Sequence, residues 1–268
     1  MTSTPRMLAS DLDGTLIPPT ADPERLEEIR SFQEALAARP LDLAYVTGRD
    51  HALALRGVER LGLPMPGVLV CNVGTSIYVR RPHGPDYVLD EDYRRRMRAA
   101  LGGADRDDLV AGVGTIAGLE LQEARKQAEF KVSYYVDEER IEEVREAVAR
   151  RLEAFPIPPK LVWSHDPHSG RMLLDLLPRG VAKHVALEHL REQGGYAMEE
   201  IVYAGDSGND FDAFLSGHPA IVVANAPDAL KREVREGARA ADVLDRVYFA
   251  ESPFAAGVLE GCRHFGAL

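Results

Sequence analysis

Short, wholly apolar runs alternate with stretches whose apolar residues recur every three or four positions through the first third of the chain. Met7-Leu8-Ala9 reads as a buried strand. Asp22-Pro23 then opens a helix, with Asp as its cap and Pro in its first turn. The apolar face of that helix is predicted to carry Leu26, Ile29 and Leu36, with Gln33 as an exception. Residues 41–46 read as a second strand, 50–61 as a second helix and 68–71 as a third strand. Such a βαβαβ pattern implies a parallel sheet with right-handed crossovers.

The rhythm changes near residue 83. A helix over 90–101 precedes strand-like segments at 119–123 and 131–136. A second helix carries Ile141, Val144, Val148 and Leu152 on one face, and two more strand-like segments follow at 161–164 and 172–177. The order αββαββ predicts an antiparallel sheet with helices on one face, hence a separate α+β domain, and Pro156, Pro158 and Pro159 mark a turn inside it. Beyond Pro178-Arg179-Gly180 the alternation resumes with helices at 181–193, 211–215, 228–236 and 254–265 and strands at 201–204 and 220–224. The predicted fold is α/β, with a Rossmann-like doubly wound parallel sheet formed by residues 1–82 and 180–268 and interrupted by an inserted domain at 83–179.

Composition narrows the partners. The 268 residues are 45% hydrophobic and 28% charged, ordinary for a globular chain. No apolar run reaches the roughly 18 residues of a membrane span, and no cationic stretch followed by an apolar core marks a secretory signal. Cys71 and Cys262 lie far apart without metal-ligand spacing, which suits reduced thiols in a cytoplasmic protein. Lys plus Arg number 32 against 43 Asp plus Glu, a net charge of −11 that disfavours nucleic acid and anionic membranes. The same charge gives no long-range attraction for a phosphorylated substrate, so any phosphate must be held by local cations. Arg94-Arg95-Arg96-Met97-Arg98 is flanked by acids and reads as a solvated helix face. His165 and His168 straddle Pro167 and read as turn residues rather than zinc ligands.

Against that background, four clusters carry chemistry: Asp11-Leu12-Asp13-Gly14-Thr15, Thr47-Gly48-Arg49, Lys183, and Gly205-Asp206-Ser207-Gly208-Asn209-Asp210. Acidic groups just beyond strand ends sit where open α/β sheets bind ligands. Asp11, Asp13, Asp206 and Asp210 meeting there would repel one another unless a hard divalent cation joined them. Asp11 and Asp13 are expected to face different sides of the strand end, one attacking phosphorus and the other exchanging the leaving-group proton. Gly14 permits a tight turn, and a calcium loop is disfavoured because Thr15 and Leu16 stand where that loop would place an acid and a glycine. The Thr47 hydroxyl and the amides of Gly48 and Arg49 are candidate phosphate donors. Lys183, one turn into its helix, is a candidate for neutralising the transferring group. Asp206 and Asp210 suit Mg²⁺, with Ser207 and Asn209 orienting them. No Gly-x-x-x-x-Gly-Lys-Ser/Thr loop occurs.

This ordered set resembles the haloacid dehalogenase superfamily of Mg²⁺-dependent phosphohydrolases. The resemblance implies Asp11 as nucleophile, Asp13 as general acid/base, and Thr47 and Lys183 as phosphate clamps. Mg²⁺ would be held by Asp11, the Asp13 backbone carbonyl and Asp206, with Asp210 holding its waters, and the insert would be the family's larger type of cap. Residues 43–49, Asn72-Val73-Gly74-Thr75, 131–135, 176–183 and 255–261 look like the sucrose-phosphate phosphatase branch. That likeness makes Gly48, Arg49, Gly74, Thr75, Lys131 and Asn209 substrate-binding candidates. It implies a small-molecule sugar phosphate as the partner, sucrose-6-phosphate foremost, for a monomer or weak dimer with its cap closing over the sugar. One position departs: the branch usually carries Glu after Gly-Thr, and this chain has Ser76. Mannosylfructose, glucosylglycerol, mannosylglycerate or trehalose phosphate therefore remain alternatives, as do a sugar phosphomutase and a non-catalytic sensor. A signalling receiver is about half this length and lacks an insert.

Overall fold

The computed structural model describes residues 4–82, 84–165 and 171–268. The chain forms two compact units, Met1–Leu89 with Ala182–Leu268, and Asp90–Val181. In the first, β1 (Met7–Ser10) is buried along its whole length, as suits a parallel strand covered on both faces. Helix α1 (Pro23–Ala38) starts where the Asp22 carboxylate accepts from the Arg25 N–H and Pro23 fills the first turn. It buries Ile29, Phe32 and Leu36. The stripe therefore runs through Phe32, and the Gln33 amide turns away to donate to the Gly62 carbonyl.

β2 (Asp42–Val46), α2 (His51–Leu61) and β3 (Val68–Cys71) follow, with Asp50 capping α2 and left-handed Gly62 ending it. Two strands absent from the sequence reading come next, β4 (Ser76–Arg80) and β5 (Tyr87–Leu89). They are antiparallel additions whose outer residues are half-buried or exposed, so they lack the continuous apolar run that marks the interior strands. Their pairing carries the first unit past residue 82 to Leu89.

The second unit contains α3 (Glu91–Ala100), α4 (Arg106–Val113), β6 (Leu119–Leu121), β7 (Val132–Val136), α5 (Ile141–Leu152), β8 (Lys160–His165) and β9 (Met172–Leu177). Its antiparallel sheet runs β6-β7-β9-β8. The order αββαββ gains a helix, because Asp105 and Asp108 form a capping box that starts α4. With only Leu109 and Val113 buried, α4 is too short to show a periodic stripe. His165 closes β8, while the turn reading of Pro167 and His168 lies outside the described residues.

The chain returns to the first unit through α6 (Lys183–Gly194), β10 (Ile201–Gly205), α7 (Phe211–Phe214), β11 (Ala220–Val222), α8 (Asp228–Ala240), β12 (Val247–Phe249) and α9 (Phe254–His264). Among the described residues the large sheet has eight strands in the order β12-β11-β10-β1-β2-β3-β4-β5, parallel from β12 to β3. β1 is flanked by β10 and β2, and Ser10 pairs with both Ala204 and Tyr45. The residues that follow these three ends therefore emerge side by side at the point where strand order reverses. Cys71 and Cys262 are free and buried, and burial pushes both thiols up to about 12, so neither is a thiolate at neutral pH. No helix among the described residues is long and apolar enough to cross a membrane.

Truncating the side chain that fills the α1 stripe should separate the two readings of that helix. Phe32→Ala is expected to cost about 3–5 kcal/mol, whereas Gln33→Ala removes one hydrogen bond and should cost roughly 0.5–1.5 kcal/mol. Urea unfolding followed by circular dichroism measures both.

Candidate active site

Asp11 and Asp13 lie beyond Ser10, the last residue of β1, in a turn that closes when the N–H groups of Thr15, Leu16 and Ile17 donate to the Leu12 carbonyl. Their divergence comes from this turn. Strand alternation alone would have put residues two apart on the same face. Asp11 is buried, and its Oδ1 accepts from the Leu12 N–H at 2.7 Å. Asp13 is half exposed, and Arg49 holds it with a two-pronged ion pair, Nε to Oδ2 at 2.7 Å and Nη2 to Oδ1 at 2.5 Å. Gly14 adopts φ +78°, and a Cβ there would collide with the Asp206 carboxylate. Glycine thus lets the first acidic turn approach the last.

Lys183 is wholly buried at the first residue of α6. The sequence reading put it one turn into the helix; Ala182 is instead extended at φ −157°, ψ 172°, so the helix begins at the lysine. Its Nζ sits 2.8 Å from Asp11 Oδ2 and 2.6 Å from Asp210 Oδ1. Asp210 is also fully buried. Its Oδ1 further accepts from the Tyr203 hydroxyl, and its Oδ2 accepts from the N–H groups of Asp206 and Ser207 and from the Ser207 hydroxyl. With both oxygens occupied, Asp210 braces the loop after β10 and anchors the lysine. Asp206, less buried, accepts from the Thr15 hydroxyl at 2.7 Å, which ties the loop to the turn after β1.

Oxygens of Asp11, Asp206 and Asp210 lie within 4.8 Å of one another. Burial raises the pKa of Asp11; the Lys183 ammonium opposes that rise, and the Asp210 and Asp206 charges add to it. Burial likewise pushes Asp206 up to about 6, against the stabilising Thr15 hydrogen bond. Burial alone would lower Lys183, but the two carboxylates on it prevail and hold it at about 12. The lysine is therefore an ammonium that bridges Asp11 and Asp210, with the Asp206 carboxylate close to both. One cation thus stands against three acidic groups. An all-oxygen donor set with that deficit fits a hard divalent cation and no soft metal. The carbonyl of Asp13 belongs to the same turn as Asp11 and can complete the set.

The remaining candidates divide. Thr47 is buried immediately after β2, its N–H donating to the Val70 carbonyl and its hydroxyl accepting from the Arg49 N–H at 3.2 Å. The Arg49 guanidinium donates to Asp13 and to the Leu53 carbonyl. Gly74 and Thr75 follow β3, where Thr75 is buried with its hydroxyl donating to the Asn72 carbonyl. Ser76 is nearly buried, its Oγ 3.5 Å from Asn72 Nδ2. Asn209 is exposed, and its side-chain oxygen accepts from Ser207. Lys131 belongs to the second unit, half-buried at a short bridge with Ala128 just before β7.

Two contributors, Tyr203 and Asn225, went unnoticed in the sequence, and Thr15 was read only as the end of a motif. Tyr203 reads there as one more apolar residue of a buried strand. Asn225 had no signal beyond its place in a loop. Its Nδ2 donates to the Gly14 carbonyl at 2.7 Å, and its Oδ1 accepts from the Phe254 N–H at 3.0 Å. It thereby links the turn after β1 to the start of α9.

Comparison with known proteins identifies the family. Residues 4–266 match the family described as sucrose-6F-phosphate phosphohydrolase. A Nitrosococcus oceani protein named among HAD-like hydrolases is 34% identical over 97% of this chain and 71% of its own length. The mannosylfructose-phosphate phosphatase of Agrobacterium fabrum is 30% identical over 97% of both chains. Among solved structures, the sucrose-phosphatase of Synechocystis, in complex with sucrose and phosphate, superposes with a TM-score of 0.75 at 28% identity, covering 98% of each chain. The chain belongs to the sucrose-6F-phosphate phosphohydrolase family, and with it to the haloacid dehalogenase-like phosphatases.

Proposed function

We propose that this phosphatase hydrolyses a sugar phosphate monoester, a disaccharide phosphate foremost, with Mg²⁺ and through an aspartyl-phosphate on Asp11. The observation that carries the reading is the cluster of Asp11, Asp206 and Asp210, whose acidic groups outnumber the one cation, Lys183, that bridges Asp11 and Asp210. Mg²⁺ held by Asp11, the Asp13 carbonyl and Asp206, with Asp210 behind its waters, would neutralise charge on the transferring phosphoryl group. Lys183, fixed by two carboxylates, supplies further positive charge without reorganisation, and the Thr47 hydroxyl offers a hydrogen bond to a phosphoryl oxygen.

In the first step an Asp11 oxygen forms a bond to phosphorus while the bond from phosphorus to the sugar oxygen breaks. Asp13, protonated for that step, gives its proton to the departing alkoxide. In the second step Asp13 takes a proton from water, whose oxygen attacks the same phosphorus and releases phosphate, restoring the Asp11 carboxylate. The Arg49 guanidinium holds both oxygens of Asp13, so Asp13 leaves that ion pair to carry its proton to the leaving group and returns to it as a carboxylate. Selection of the sugar is assigned to the inserted unit, with Lys131 as its cation.

The choice of disaccharide rests on relatives that act on sucrose phosphate or mannosylfructose phosphate by their names. Ser76, nearly buried and beside Asn72, leaves a shorter neutral group where the branch carries Glu. A Mg²⁺-dependent phosphate-release screen over sucrose-6-phosphate, mannosylfructose phosphate, trehalose-6-phosphate and glucosylglycerol phosphate tests the substrate. Turnover of none of them would overturn the disaccharide reading, and isomer interconversion without phosphate release would identify a mutase.

Asp11→Asn is expected to bind substrate and release no phosphate over multiple turnovers, as read by a coupled phosphate assay. Asp13→Ala should slow a sugar phosphate, whose alkoxide needs a proton, far more than p-nitrophenyl phosphate; equal losses would refute the acid/base role. Stability should also depend on pH in a metal-sensitive way. Asp206 rises from 3.8 to about 6 on folding, so the folded chain binds the extra proton between those values. In chelator, the contribution of Asp206 to stability is therefore fully present below the ordinary carboxylate range and is lost as pH climbs to about 6. Added Mg²⁺ should flatten that fall, and thermal melts from pH 4 to 7 with and without the ion would reveal an ion-independent slope if the assignment were wrong.

A further inference from the structure

Three consecutive residues after β3 have positive φ: Asn72 at 53°, Val73 at 60° and Gly74 at 93°. Glycine takes this region freely and asparagine tolerates it, but for a β-branched valine it is an outlier. Such strain persists only where the surroundings impose it. Here they can be named. The Asn72 N–H donates to the Arg49 carbonyl at 2.9 Å, and the Val73 N–H donates to the Thr47 carbonyl at 3.1 Å. A methyl on Gly48 would come within 3.8 Å of Val73 Cγ2, so the valine side chain lies over Gly48. On the other side, a Cβ on Gly74 would stand 3.0 Å from the Ala182 carbonyl and 3.4 Å from the Lys183 nitrogen. The segment therefore touches the Thr47 turn with one end and the first residue of α6 with the other.

We propose that Asn72-Val73-Gly74 is a strained bracket that fixes the Thr47 turn against Lys183, with Val73 as its positioning residue. With the Val73 N–H held on the Thr47 carbonyl, extended or right-handed backbone at Val73 would swing its side chain off Gly48 and carry Gly74 away from α6. Gly74 must lack a side chain for the bracket to seat against α6. Thr47 and Lys183 come from segments far apart in sequence, and the bracket gives both one reference point. The functional consequence rests on the proposal that these two residues clamp the phosphoryl group; the mechanical consequence does not.

Val73→Gly accepts the same backbone but removes the cover over Gly48, and Val73→Asn accepts it while retaining a branched side chain. Amide hydrogen exchange by mass spectrometry is the primary measurement. In Val73→Gly, peptides covering 45–50 and 181–186 should both exchange at least about fivefold faster, while peptides from β10 keep the wild-type rate. Val73→Asn should stay within about twofold of wild type. An unchanged rate at either end, or equal acceleration everywhere, would overturn the bracket. In the second measurement, Val73→Gly should lose about tenfold or more in kcat/KM, equally for sugar phosphate and p-nitrophenyl phosphate, because the bracket serves the phosphoryl group and not the leaving group. A loss confined to the sugar phosphate would make the segment a sugar contact and refute its positioning role. If the wild type released no phosphate from any ester, the proposed function would fail, and the exchange result would still decide the bracket.

Discussion

The ammonium of Lys183, held between Asp11 and Asp210 in a fully buried position, is the interaction on which the site depends. A buried charge is tolerable only when partners replace its water, and removing one partner of such a pair costs roughly 3–5 kcal/mol. Here the partners arrive from β1, α6 and the loop after β10. The sheet register that brings Asp11 beside β10 is therefore a precondition of the charge cluster. Conversely, the cluster penalises any pairing that would leave the lysine unpaired. Tyr203 and the Ser207 loop extend the same logic by occupying every remaining oxygen of Asp210.

The site divides its two outer carboxylates by environment. Asp11 is dry and surrounded by charge, whereas Asp13 is half exposed and locked to a guanidinium. A turn of a few residues achieves this separation, because Gly14 allows a backbone path that brings Thr15 within hydrogen-bond reach of Asp206. Arg49, a substrate-binding candidate by its place beside Thr47, pairs its guanidinium with Asp13. Adjacency along the chain says nothing about where a long side chain turns.

Much of this was legible before any coordinates. The interior strands announced themselves as apolar runs, and the clusters at their ends followed because open α/β sheets gather ligands there. β4, β5, β12 and α4 were not legible, since half-exposed hairpins, a short edge strand and two-turn helices carry mixed sequences whose pattern becomes meaningful only through pairing and capping. In α1 the helical period was right but one position was misread, Gln33 for Phe32, because both residues fit a loose three-or-four spacing. Asp11, Lys183 and Asp206 stood out as charged groups in motifs. Asn225 and Tyr203 did not, because an amide in a loop and a phenol in a strand have many ordinary explanations.

The bridge from Gly14 through Asn225 to the first residue of α9 has a mechanical meaning. One side-chain amide donates to the turn after β1 and accepts from the start of α9, so two segments far apart along the chain share a single fastening. Loosening α9 would leave that amide free to turn, and the slack would be felt at the turn that carries Asp11.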